Sequence, residues 1–460
     1  MLFNSLSFVL FFPIVCIFYW ILPDRFRNLM LLIASYYFYM SWEPTYAVLI
    51  LFTSISTWFC ALNIEKKEHA KKASIAICLV INLLILFIFK YYNFTAGTIT
   101  SIFPSISIPH SDLLLPVGIS FYTFQCIGYI VDVYRKNIAA EKDLMTYLLF
   151  VSFFPQLVAG PIERAKNMLP QFHRTHTFNG DDFIDGLKMI IWGYFMKLCI
   201  AGNVAPYVDA VYNNIEHHNG TSILLASFLF SFQIFCDFGG YSLIAIGTAK
   251  CVGFTLMQNF NHPYLSISVK EFWKRWHISL SSWFSDYVYI PMGGSRCSRI
   301  KHYRNLLFTM LLSGIWHGAN WTFLCWGGLH GVLLVLNAFW NKLTTKASPK
   351  FISILFTYAL TSFAWIFFRA NSISDAFNAI GKICSEPGPI FKGDGIPALV
   401  LPLLMILILV FKEIKDEYSI KFHLMHHNSS WVSIPSCAFL IIIILLCAEF
   451  NSGQFIYFQF

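Results

Sequence analysis

Long apolar stretches recur along this chain, most of them close to the roughly 20 residues that carry a helix across the hydrocarbon core of a bilayer. They lie at about 3–22, 28–41, 45–62, 74–92, 113–133, 184–201, 222–249, 351–369, 397–411 and 432–449. The rest of the composition agrees. Of 460 residues, 57% are hydrophobic and only 12% charged, against roughly 25% charged in a soluble domain. So little charge cannot cover a water-exposed surface, which excludes a water-soluble enzyme. Intrinsic disorder is excluded as well, because it requires low hydrophobicity and high charge. Dividing the length by about 150 would give three domains. Segments this apolar instead pack as one integral membrane body over 1–460. Within it, 1–143 form N-terminal helices, 144–341 a core, and 342–460 C-terminal helices with a tail. The predicted fold class is all-α and polytopic, with about 10–12 transmembrane helices.

Two stretches are less regular. Residues 144–159 are apolar but end in Phe154-Pro155-Gln156 and Gly160-Pro161, which predicts a re-entrant segment. Residues 305–341 are broken by Ser313-Gly314 and by His317-Gly318-Ala319-Asn320, which predicts a broken hairpin. Irregular backbone is tolerated at membrane depth where it lines protein or a water-filled cavity.

Lys and Arg in the loops set the orientation. Loops 63–73, 134–143, 161–176, 268–304 and 342–350 carry them, whereas 93–112, 202–221 and 450–460 hold none. The alternation predicts a multi-pass membrane protein with both termini outside. Loop 370–396 resists, since it should be outside yet holds Lys382 and Lys392. The first span lacks a small-residue cleavage site and reads as retained. The 12 Cys are scattered without a C-x-x-C spacing, so they read as small packing residues and predict neither a metal site nor a disulfide frame. The net charge of +8 is modest and gives no case for nucleic-acid binding.

Four places hold chemistry. The stretch 261–296 is too polar for a span and too aromatic for a loop; Lys270, Lys274 and Arg275 alternate with Trp273, Trp276 and Trp283. It reads either as interfacial anchoring helices with snorkelling cations or as a site, with His277 beside Ser279 and Ser281. His317, next to Trp316, falls inside an apolar run and is flanked by small residues. An ionisable group at membrane depth is a functional candidate, and a neutral imidazole suits a general base near pH 7. A buried structural histidine is the alternative, and His330 is a weaker candidate of the same kind. Gln233 and Asp237 lie within the 222–249 span, where they line a polar path or bond between helices. Tyr457, past the last span, is either part of an aromatic belt or an acceptor hydroxyl.

The fragments F-W-K-R-W-H-I-S-L-S-S-W-F (272–284), D-Y-V-Y-I-P-M-G-G-S-R (286–296) and S-G-I-W-H-G-A-N-W (313–321) together resemble the membrane-bound O-acyltransferase family, in its bacterial alginate and peptidoglycan O-acetylating branch. The resemblance extends through 232–242, 158–164, 365–370 and the terminal F-I-Y-F-Q-F. It implies a central tunnel, His317 as the catalytic histidine, His277 as the second histidine, and Tyr457 as an acyl carrier at the outer face. Asp237, Gln233, Trp316, Arg275 and Ser279 would line or support the site.

The resemblance also implies an O-acetyltransferase without a bound cofactor. Its donor would be acetyl-CoA or another acyl thioester, and its acceptor an extracytoplasmic polysaccharide reached through a separate SGNH-type partner protein. Leu243 departs from the pattern, where many relatives carry Asp. The run I-P-M-G-G-S-R is closer to the acetylating members than to the D-alanyl transferases. Two other readings stay open: D-alanyl transfer, and a glycan or lipid transporter component, although no related halves are visible.

Overall fold

Long apolar runs leave the backbone amides to satisfy one another, and the regular elements among the described residues are all helices, joined by loops. A computed structural model describes residues 1–66, 69–158, 160–343, 349–393, 395–422, 424–425, 427 and 429–449. Tyr457 lies outside the described residues. Six helices among these are long and apolar enough to cross a membrane: Tyr46–Lys66, Lys71–Ile102, Gly220–Cys251, Trp321–Trp340, Lys350–Arg369 and Ser430–Cys447. Leu6–Ile21 is apolar but shorter; the expected spans 28–41 and 113–133 are likewise short, 184–201 is interrupted, and 397–411 lies in the longer helix Ile396–Glu417. The outward faces are apolar, as lipid requires: only 17% of the Lys71–Ile102 window and 11% of the Ser430–Cys447 window are buried, against 78% for Gly220–Cys251.

The chain packs into two compact units. One comprises Met1–Met189 and Ile244–Met257. Its helix Ile119–Tyr134 is almost wholly buried. The expected interruption after 144 is present as two short helices, Leu144–Ser152 and Phe154–Leu157. Asp143 caps the first by accepting from the Met145 and Thr146 amides. At the break, the Phe154 amide donates to Ser35 Oγ at 3.1 Å, and Gln125 and Gln156 both donate to the Phe150 carbonyl. Side chains thus replace the lost helical bonds, which lets irregular backbone stay buried.

The second unit comprises Ile190–Leu243 and Gln258–Phe460. Its core is a cluster of large rings, with Phe272, Trp276, Trp326, Trp365 and Phe368 all 1% exposed or less. A hairpin forms from Arg299–His317 and Trp321–Leu343, with the expected break after His317; the break expected at Ser313-Gly314 is absent, and the first helix runs through it. The two helices meet through glycine. A Cβ on Gly314 would stand 2.3 Å from the Phe323 carbonyl oxygen, and one on Gly327 2.4 Å from that of Met310. Small residues let helix backbones approach closely, which explains the S-G and G-G pairs. Loop 370–396 is not all loop: Ile373–Ser385 is a helix, capped by Ser372 Oγ accepting from the Asp375 amide.

Candidate functional site

His277 occupies a forced position. Helix Val269–Arg275 ends and helix Ile278–Phe284 begins around it. The residue itself is in the left-handed region, at φ 44°. A non-glycine residue held there costs on the order of 1–3 kcal/mol, and such strain clusters at functional sites. Non-helical backbone at 259–261 holds the turn. The Asn261 amide donates to the Arg275 carbonyl, and the Ile278 amide to the Asn259 carbonyl, both at 2.9 Å. The result is a fully buried imidazole, which burial pushes down to about 3 and so keeps neutral.

His317 is the last residue of helix Arg299–His317 and is 3% exposed. The chain leaves the helix at Gly318, where a Cβ would strike the Phe323 ring at 2.1 Å. The small residue therefore lets the chain turn away against the aromatic wall. The His317 ring centroid lies 5.0 Å from those of Trp316 and Trp326, 5.5 Å from Phe368 and 6.3 Å from His277. Forty residues apart in sequence, the two histidines share one aromatic chamber.

A cavity of about 190 Å³ opens in this unit, with Lys270, Trp273, Lys274, Ser281, Tyr289 and Ser313 in its wall. The Ser281 amide bonds the His277 carbonyl, and Ser313 precedes His317 by four residues on the same helix. Each histidine is thus one helical turn from the cavity wall. Two lysines and several hydroxyls set beside apolar walls suit a ligand with an anionic part and a thin apolar arm.

The supporting candidates divide. Ser279 joins the His277 network, since its hydroxyl donates to Asn259 Oδ1 at 2.7 Å. Arg275 is held by Glu271 at 2.7 Å and by both oxygens of Glu417, at 2.6 and 2.9 Å. The Glu417 contact ties its helix to Ile396–Glu417. Asp237 accepts from Lys197 Nζ, with Gln233 buried one turn earlier on the same helix. Trp316 is buried beside both imidazoles, its ring centroid 6.0 Å from His277 and 5.0 Å from His317. His330 accepts from Trp273 Nε1 at 3.3 Å within the ring cluster, which fits the structural reading of that residue.

Sequence reasoning missed two residues here. Lys197 had a legible signal, a lysine inside the apolar run 184–201. Asn259 had none, because it stands 18 residues before His277 and meets it only through the fold.

The chain is similar to proteins already known. The family described as "MBOAT, membrane-bound O-acyltransferase family" matches residues 35–374. The chain is 39% identical over 396 residues to a protein of Azotobacter vinelandii named "Probable alginate O-acetylase AlgI", covering 84% of this chain and 78% of that one. It is 33% identical over 417 residues to a "Peptidoglycan O-acetyltransferase" of Helicobacter pylori, covering 83% and 79%. A "Teichoic acid D-alanyltransferase" of Bacillus subtilis is more distant, 29% identical over 283 residues, covering 57% and 71%.

Proposed function

Given that the chain belongs to the membrane-bound O-acyltransferase family, we propose that it moves an acetyl group from an activated donor on the cytoplasmic side to a polysaccharide hydroxyl outside. His317 is the general base in this reading. The observation that carries it is the pair of buried imidazoles 6.3 Å apart, each one turn from a cavity whose wall holds two lysines. Lys270 and Lys274 attract the anionic portion of an acyl thioester such as acetyl-CoA. The apolar walls take the thioester arm. At about 190 Å³ the cavity is below the roughly 300–1,000 Å³ of a common small-molecule pocket. That favours a short acyl group over a fatty chain. His317 takes the proton of the attacking hydroxyl as its oxygen bonds to the acyl carbon. The C–S bond breaks and the thiolate leaves with the donor. His277 lines the donor's approach.

The first hydroxyl to attack is that of Tyr457, which carries the acetyl group at the outer face. A separate SGNH-type protein then passes it to the polysaccharide. The chain is an inner-membrane protein with both termini outside. The acceptor is the alginate or peptidoglycan type that its relatives' names describe. His317→Ala abolishes polymer O-acetylation while the protein stays inserted and abundant. In the same cells, mass spectrometry finds acetyl on Tyr457 only when His317 is intact. Undiminished acetylation in His317→Ala overturns the mechanism. Transfer of D-alanyl in place of acetyl to the same polymer overturns only the cargo.

A further inference from the structure

Asn259 is 1% exposed and belongs to no helix. Its side chain is a junction. Oδ1 faces the Ser279 amide nitrogen at 3.3 Å, Ser279 Oγ at 2.7 Å and His277 Nδ1 at 3.2 Å. Nδ2 faces Ser242 Oγ at 3.1 Å. Ser242, Ser279 and His277 are buried too, at 2% exposed or less.

One contact orients the whole junction. A backbone N–H can only donate, so the amide atom facing Ser279 N is the oxygen. A flipped amide would set donor against donor. With the oxygen placed, His277 Nδ1 must donate to it and therefore carries the hydrogen. A buried imidazole is neutral, so Nε2 carries the lone pair.

We infer that Asn259 is a positioning residue that locks His277 in the Nδ1–H tautomer, so that His277 meets the reacting groups as a hydrogen-bond acceptor at Nε2. The inference deepens the proposed function and rests on its reading that His277 lines the donor's approach. It assigns His277 a definite chemical sense. In this tautomer it cannot donate from Nε2 to a developing oxyanion. It accepts instead, from a hydroxyl or thiol proton beside the reacting carbon. The ring nitrogen that carries the proton is set by the partner of the other nitrogen. Here that partner comes from a segment whose own carbonyl also holds the Ile278 amide, so ring and turn are fixed together.

The test is nitrogen NMR of isotope-labelled histidine in the full chain in lipid nanodiscs, with the His277 signals assigned by their loss in His277→Gln. The wild type shows Nδ1 protonated and Nε2 bare. Asn259→Leu, close in volume but without an acceptor, moves the proton to Nε2. With acetyl-CoA as donor it lowers kcat by about 10²-fold, the lower end of what a positioned proton-transfer group contributes, with little change in KM. Asn259→Asp keeps an acceptor in place and restores both the tautomer and most of the rate. A wild-type ring protonated at Nε2 overturns the inference, and so does Asn259→Leu retaining either Nδ1–H or full kcat. If Asn259→Leu does not fold, the wild-type spectrum and Asn259→Asp still decide. Activity surviving in His317→Ala would sink the proposed function and leave the tautomer result standing, so the two failures are distinguishable.

Discussion

Two buried polar sites in the same unit solve the cost of desolvation in opposite ways. Lys197 and Asp237 are both charged, both nearly buried, and answer one another directly. Lys197 sits in the π-helical turn Phe195–Ala201, and Asp237 in the uninterrupted helix Gly220–Cys251. The histidine site, with His277 kept neutral by burial, is built where helices break, at 277 and after 317. Isolated charges in a dry interior cost several kcal/mol each unless paired, so an ion pair is committed to itself. A neutral imidazole has a much smaller desolvation cost and still exchanges a proton. Under the proposed function, charge serves the fixed contact and a neutral base serves the chemistry.

That contrast predicts opposite phenotypes. His317→Ala has the largest effect, a loss of acyl transfer by 10²–10⁴-fold or more with little change in melting temperature in detergent. Lys197→Met strands the Asp237 charge and destabilises by about 3–5 kcal/mol. Lys197→Met combined with Asp237→Leu recovers most of that, because apolar residues of similar volume replace a buried pair well. Thermal unfolding of the purified variants measures both. If the double variant is no more stable than the single one, Asp237 does more than answer Lys197.

Glu163, in the other unit, sharpens the point. It is 2% exposed and accepts from the Met257 amide. Burial pushes its carboxyl up to about 7, from 4.5. Its folded pKa is raised, so the folded state holds the proton more tightly than the unfolded chain. The carboxyl's contribution is favourable below pH 4.5 and is lost as pH rises to about 7. Stability therefore falls by up to roughly 3 kcal/mol across that window and is flat beyond it. Glu163→Gln removes this component, and melting curves from pH 4 to 8 read it directly.

The smallest effect is at Arg275, whose contacts to Glu271 and Glu417 are only partly buried. Arg275→Lys loses the two-pronged contact and costs about 1 kcal/mol, measured in the same assay. A collapse of activity without loss of stability would instead give Arg275 a role at the cavity.

The sequence by itself determined the class of the molecule. Apolar runs of membrane length, starved of charge, leave helices as the form that satisfies the backbone, and the interruptions at 153 and 318 were legible where Pro, Gly and polar residues cluster, although Ser313-Gly314 carried the same signal inside a continuous helix. It also marked His317 and His277, since an ionisable residue in an apolar or aromatic run stands out. Their meeting was not legible. Nothing along the chain relates residue 277 to residue 317, or either to 259; a shared ring cluster and two backbone hydrogen bonds bring them together. Local pattern fixes local conformation, because helical periodicity and capping act over a few residues. Which nitrogen holds a proton depends on a partner that only long-range packing supplies.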